Sequence, residues 1–233
     1  MSLDVNTEFF VEIKPEGLEI VKFETREGWL TGRDAITGIG GSDAAAAVGQ
    51  SRRKSMVQLW KEKTGRAAAR DLSKVEYVQM GVKTEGPMRE LFAALHPELE
   101  VVHRPFDIYR QDERRWLFAT LDGEIRDRAT GDLGVLEIKK ADVMNKRDRE
   151  EWDGRVPEEY FIQVLHQMLA TGFSYAYLWA LQRHGDGSCT LREYYFPRED
   201  YAADLDWLEA KEEKFMGYLR SGRVPPAPMV LPV

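Results

Sequence analysis

The sequence predicts one α/β domain, a central mixed sheet flanked by helices. Three observations carry that prediction. The chain has 233 residues, 43% apolar and 31% charged, an ordinary globular composition that excludes collagen-like, low-complexity and wholly disordered classes. Segments with helical spacing alternate with short segments rich in aromatic and β-branched residues. Neither a repeat nor an interdomain linker divides the chain, and a domain of this length buries enough surface to need no staple.

The elements follow in order. Residues 42–49 (SDAAAAVG) read as a short helix with Ser42 as N-cap and Gly49 as the stop. Residues 55–64 read as a second helix. Residues 73–95 carry an apolar stripe through Tyr77, Met88, Leu91, Phe92 and Leu95, broken at Gly86-Pro87 by either a kink or a new helix start. Strands are expected near 103–109, 115–122 and 133–139. A helix over 158–172 ends at Gly172, and the aromatic run 173–182 reads as a buried strand. Residues 190–196 form a further strand and 200–220 an amphipathic helix. The tail VPPAPMVLPV cannot continue a helix.

Charge and cysteine content narrow the function classes. Cys189 is the single cysteine, so an intramolecular disulfide, a CxxC zinc site and a four-cysteine cluster are excluded, and a reducing cytoplasm is the expected compartment. No apolar run approaches the ~20 residues of a membrane span, and the acidic N-terminus lacks the basic region of a secretory signal. Net charge is −7, yet residues 51–70 hold seven basic residues and only Glu62 as an acid. Such a segment is either a solvated helix face or a local grip for a polyanion. The acidic stretch Glu150, Glu151, Asp153, Glu158 and Glu159 is expected to face solvent.

Several residue types point to hydrolytic chemistry. Asp122 ends the alternating run from Trp116, on the face of Phe118 and Thr120. Glu137 and Lys139 share one face of LGVLEIKK, where unpaired charges would be expensive. The short GEIRDRATGDLG link, with turn residues at 129–132, makes the two strands hairpin neighbours and brings Asp122 beside Glu137. Two close carboxylates resist joint ionisation, and a hard divalent cation such as Mg²⁺ resolves that. The alternative is a structural salt bridge through Lys139. Glu85 falls on the apolar stripe if its helix is continuous. Tyr160, Gln163 and Gln167 form one polar helix stripe, with His166 beside it as a structural histidine or a ligand. The glycine-rich turn before Ser42 leads into a helix N-terminus able to hold an anion, or is simply a tight turn.

The order of these pieces resembles the lambda-type (YqaJ-like) viral recombinase exonucleases of the PD-(D/E)xK nuclease superfamily. The carrying segments are IGGSDAAAAVG, SMVQLWKEKTG, MGVKTEGPMRELF, ATLDGEI, GVLEIKKA and YFIQVLHQMLATG, over roughly residues 28–182. The resemblance implies a restriction-endonuclease-like domain at 28–222, with an N-terminal extension 1–27 and a proline-rich tail 223–233. It implies Asp122, Glu137 and the Ile138 carbonyl as ligands of Mg²⁺, or Mn²⁺ in its place, with Glu85 assisting. It implies Lys139, Tyr160 and Gln163 as catalytic, and Ser42, with Arg33, Arg52 or Arg53, at a 5′-phosphate pocket. Arg33 stands nine residues before Ser42 where the family usually has about seven, and Leu121 replaces the motif's proline. The implied activity is 5′–3′ degradation of linear double-stranded DNA ends, leaving 3′ single strands for recombination by annealing. The implied assembly is a homotrimeric ring, with a single-strand annealing protein as partner and no membrane contact. A non-catalytic recombination scaffold on the same fold, or a related endonuclease, are the alternatives.

Overall fold

The computed structural model describes residues 9–14, 17–69 and 74–227. The first half of the chain runs β1 (Phe9–Ile13), β2 (Leu18–Phe23), α1 (Arg26–Ala35), β3 (Ile39–Gly40), α2 (Gly41–Ala47), α3 (Met56–Lys63) and α4 (Glu76–Leu95). The second half runs β4 (Leu99–Val102), β5 (Ile108–Gln111), β6 (Leu117–Ala119), β7 (Gly123–Asp127), β8 (Leu133–Val143), α5 (Lys146–Glu151), α6 (Glu158–Thr171), β9 (Tyr175–His184), β10 (Cys189–Pro197) and α7 (Ala202–Ser221). The mixed α/β class holds, with the described strands divided between two five-stranded sheets, β1-β2-β5-β6-β3 and β10-β9-β8-β7-β4. The stretch expected as an extension supplies β1 and β2, and β2 pairs antiparallel with β5.

The strand expected over 103–109 is mostly a connection: residues 103–107 link β4 of one sheet to β5 of the other. Pro105 offers no N–H, and Phe106 takes a positive φ of 72°, so the chain turns between β4 and β5. The strand expected over 115–122 also breaks. β6 ends at Ala119, and β7 begins at Gly123 in the other sheet, so Asp122 stands at the crossing between sheets. The hairpin partner of β8 is therefore β7, with Gly123 opposite Leu136. Its turn closes through the Gly131 N–H donating to the Asp127 carbonyl at 2.8 Å, with Gly131 at φ 80°.

Helix α4 is continuous through Pro87. Pro87 stands exposed, so the carbonyl it leaves unbonded, that of Lys83, is on the solvent side. Met88 and Phe92 are buried, whereas Leu91 and Leu95 are exposed, so the expected stripe is only partly core. Helix α2 starts at Gly41 with Gly40 as N-cap, which puts Ser42 inside the first turn rather than at the cap.

Helix α6 is the centre of the molecule. Residues 164–171 are all buried, because the helix packs on β5 and β6 of one sheet, on β8 and β9 of the other, and on α2 and α7. It connects β8 to β9, which pair in parallel and so require a crossover. Gly172 ends it at φ 75°, as expected from the sequence. No helix among the described residues is long and apolar enough to cross a membrane.

Candidate active site

Strand β8 places Glu137 and Lys139 on one face because strand side chains alternate. The β7–β8 hairpin holds the residue before β7, Asp122, against that face. Asp122 Oδ2 accepts the Ile138 N–H at 2.8 Å. The sequence thus pairs the right residues through the wrong strand. A strand residue presents its N–H and C=O on the same edge, so the Ile138 carbonyl leaves β8 on the Asp122 side.

Glu137 is 1% exposed. Its Oε1 accepts Gln163 Nε2 at 2.6 Å and pairs with Lys139 Nζ, while its Oε2 accepts Gln167 Nε2 at 2.6 Å. Burial, reinforced by the Glu137 and Glu85 carboxylates, holds the Asp122 carboxyl well above its ordinary range. Burial pulls the Lys139 ammonium toward neutrality, but Glu137 and Asp122 outweigh it and raise its pKa. Lys139 therefore stays charged, 5.3 Å from the Tyr160 ring centroid.

A cleft of 270 Å³ opens on this group, lined by Asp122, Glu137, Ile138, Lys139, Glu85 and Gln163, with Tyr160, Tyr77 and Arg53 on its rim. Glu85 faces it from α4, where Arg89 Nη2 donates to Glu85 Oε1 at 3.0 Å. Arg89 Nε also donates to the Asp122 carbonyl at 2.7 Å, tying α4 to the sheet crossing. Among the described residues no three His, Cys, Asp or Glu side chains converge into a cation cage, and the carboxylates lining this cleft are those of Asp122, Glu137 and Glu85.

Three residues here escape sequence reasoning. Arg89 carries a readable signal, four residues after Glu85 on one helix. Tyr77, read as core, points its hydroxyl to the Lys140 carbonyl at 2.7 Å and lines the cleft. His103 Nδ1 lies 3.2 Å from the Asp122 carbonyl, and burial together with Arg89 lowers its pKa. His166 is structural: fully buried, it bonds Glu212 Oε1 at 2.7 Å and the Phe118 carbonyl at 3.0 Å.

A second polar group lies beside the glutamine helix. Arg33 Nη2, from the last turn of α1, donates to Ser42 Oγ at 3.0 Å, with its guanidinium 5.5 Å from the Trp29 ring centroid. The nine-residue spacing does not keep the two apart, since α1 folds back toward α2. Arg52 and Arg53 lie elsewhere. Arg52 pairs with Glu151, and Arg53 Nε lies 3.8 Å from Glu159. Those two carboxylates, expected to face solvent, instead turn to the arginines. Arg70, the last cation of the basic segment, and residues 228–233 of the tail lie outside the described residues.

Fold and site together define an α/β protein whose carboxylate–lysine cleft sits where the chain crosses between two mixed sheets. Residues 28–174, more than half of the chain, match the YqaJ-like viral recombinase domain, and the chain belongs to that family. It is 30% identical over 151 residues to the uncharacterized protein YqaJ of Bacillus subtilis (strain 168), an overlap of 65% of this chain and 44% of that protein. The chain thus spans less than half the length of that relative. Its fold is similar to the alkaline exonuclease LHK-Exo of Laribacter hongkongensis, with TM-score 0.60 and 18% identity over 84% of this chain and 94% of that one. The same exonuclease in complex with dAMP gives TM-score 0.54 over the same shares of each chain.

Proposed function

We propose that the protein is a divalent-metal-dependent exonuclease acting on linear double-stranded DNA ends in a recombination pathway. One observation carries the reading: Asp122, Glu137 and Lys139 meet in a single cleft, with Gln163 bonded to Glu137. Family membership and the alkaline-exonuclease fold support it.

The residues fit a hard cation. The donor set is all oxygen, from two carboxylates and a backbone carbonyl, which suits Mg²⁺ or Mn²⁺ better than a softer ion. Asp122, Glu137 and Ile138 would hold it, with Glu85 at the cleft wall. The chemistry such an ion supplies is activation of water and neutralisation of charge at a phosphate. Lys139, paired with Glu137 and facing the cleft, acts as an electrostatic stabiliser of the phosphate. Gln163 orients Glu137, and Tyr160 walls the lysine on its aromatic face.

The finer reading is a 5′-to-3′ direction, with Arg33 and Ser42 receiving the terminal 5′-phosphate. A Cβ at Gly40 would lie 3.7 Å from Arg33 Nη2, so glycine there leaves the arginine open, and an arginine gives charge-assisted bonds to phosphate. A homotrimeric ring and a single-strand annealing partner belong to the same reading and rest on the resemblance; light scattering that gives a 26.8 kDa monomer with and without DNA removes the ring.

The test uses linear and circular duplexes with Mg²⁺ or EDTA, wild type beside Asp122→Ala. Loss of linear DNA alone, dependent on Mg²⁺ and on Asp122, is the expected result. Cutting of circles makes the protein an endonuclease, and no cutting of either makes it a scaffold. Calorimetry with Mn²⁺ on the DNA-free proteins should show binding by wild type and its loss in Asp122→Ala. Matched 5′-phosphate and 5′-hydroxyl ends test the pocket: wild type should prefer the phosphate and Arg33→Ala should not.

A further inference from the structure

Gln167 follows Gln163 by one turn of α6 and is 1% exposed. Its Nε2 donates to Glu137 Oε2 at 2.6 Å, and Gln163 donates to Oε1 at the same distance. An ionised carboxylate only accepts, so the amide nitrogen and not the amide oxygen faces Glu137. Gln167 Oε1 is left buried with no hydrogen-bond partner. Around it on the helix, Val164, Leu165, Met168 and Leu169 are buried and apolar. Leucine or methionine would fill this position without the orphaned amide oxygen, which is destabilising in itself, but would take the donor away from Glu137 Oε2. Packing alone does not account for a glutamine here.

We propose that Gln167 is a positioning residue for Glu137 in the hydrolysis proposed above, on which this inference rests. The terminal torsion of a glutamate is soft, so a carboxylate held by one oxygen can turn. Gln163 on one oxygen and Gln167 on the other fix the carboxylate plane toward Asp122 and the cleft. Both clamps are neutral. They orient the carboxylate without cancelling its charge, which stays available to a cation and to Lys139. The fold makes room for the pair at Gly41: a Cβ there would lie 3.5 Å from Gln163 Cγ and 3.6 Å from Gln167 Cγ, so any side chain larger than alanine would crowd both clamps.

The experiment compares wild type with Gln167→Leu in three measurements: steady-state hydrolysis of linear duplex, Mn²⁺ calorimetry on the DNA-free protein, and thermal melting. The expected result is a fall in kcat of about 10–100-fold, the range for losing a group that orients a metal ligand. Mn²⁺ affinity should weaken by a similar factor. KM for DNA should stay unchanged and the variant should remain fully folded at the assay temperature, since the loss of a donor to Glu137 Oε2 is partly offset by removal of the unpaired Gln167 oxygen. If Gln167→Leu does not fold, Gln167→Met, which keeps an unbranched chain, takes its place. A wild type that binds Mn²⁺ and cuts DNA beside a variant equal to it overturns the clamp alone. A fall in melting temperature that accounts for the lost activity also overturns it, by making Gln167 structural. A wild type that neither binds Mn²⁺ nor cuts DNA overturns the nuclease reading together with the clamp.

Discussion

Lys139 shows how a neighbour decides a side chain's chemical role. A lysine buried alone would lose its proton readily and could act as a base, whereas this one lies against Glu137 and near Asp122 and holds its proton more tightly. Lys139→Ala should therefore cut turnover by ~10²–10³, the cost of one missing electrostatic stabiliser, while Mn²⁺ binding measured calorimetrically persists. Equal losses in both would make the lysine a structural partner of Glu137. Glu137, Lys139 and Gln163 were legible because each sits in a strict period, two on the strand and three to four on the helix. Tyr77 was misread for the same reason. Its position fits the α4 stripe, but period says nothing about a hydroxyl that reaches the Lys140 carbonyl across 63 residues of sequence. The contact of Arg89 with the Asp122 carbonyl is likewise tertiary, and only its pairing with Glu85 is written in local spacing.

At the scale of elements, the site depends on how α6 is held, and α7 holds it. Glu212 of α7 bonds His166 of α6, whose other nitrogen bonds the Phe118 carbonyl of β6, four residues before Asp122. Both side chains are fully buried. Burial alone would lower the His166 pKa, but Glu212, the Phe118 carbonyl and nearby Asp43 outweigh it and raise it above 6.5. A raised histidine pKa contributes stability in full below the unfolded value, and that contribution disappears as pH rises through the folded value. Glu212→Ala should thus cost about 3–5 kcal/mol at pH 6, the scale for orphaning one member of a buried pair. The difference from wild type should shrink in melts above the raised pKa, and a penalty constant from pH 6 to 9 would mean that the pair is not ionised. Helix limits were readable where glycine marks the end, as at Gly172. Strand limits were not readable where the chain changes sheet. Alternation continues from Trp116 to Asp122, yet β6 stops at Ala119 because the backbone must leave for the other sheet, and that is a property of topology rather than of local pattern.

Charge is a property of the whole molecule. Under the proposed function, a chain of net charge −7 must grip DNA with a few placed cations, and in the structure most cations of the basic segment are already engaged. Arg52 pairs with Glu151, Arg53 lies near Glu159, Lys54 bonds Glu62 at 2.7 Å, and Lys63 bonds Asp43 at 2.8 Å. The sequence displayed the positive run but not its partners, which come from α2, from α3 itself, from α5 and from the start of α6. For Arg52 and Arg53, phosphate must replace a carboxylate, and the released carboxylate takes up a counterion that partly offsets those leaving the DNA. Glu151→Gln and Glu159→Gln should therefore tighten duplex binding by about 2–5-fold each, the worth of an exposed ion pair of up to ~1 kcal/mol. They should also steepen the fall of log affinity with log salt, toward the ~0.9 per contacted phosphate expected of an unencumbered cation. The measurement is a titration of fluorescent duplex at several salt concentrations with EDTA present, so that binding is read without cleavage. Glutamine keeps an acceptor for the Ser51 hydroxyl, which donates to Glu159 at 3.0 Å, so the turn at 51–53 is preserved. Weaker binding by either variant would show instead that these carboxylates shape the arginines for DNA, and an unchanged salt slope would place Arg52 and Arg53 outside the DNA path.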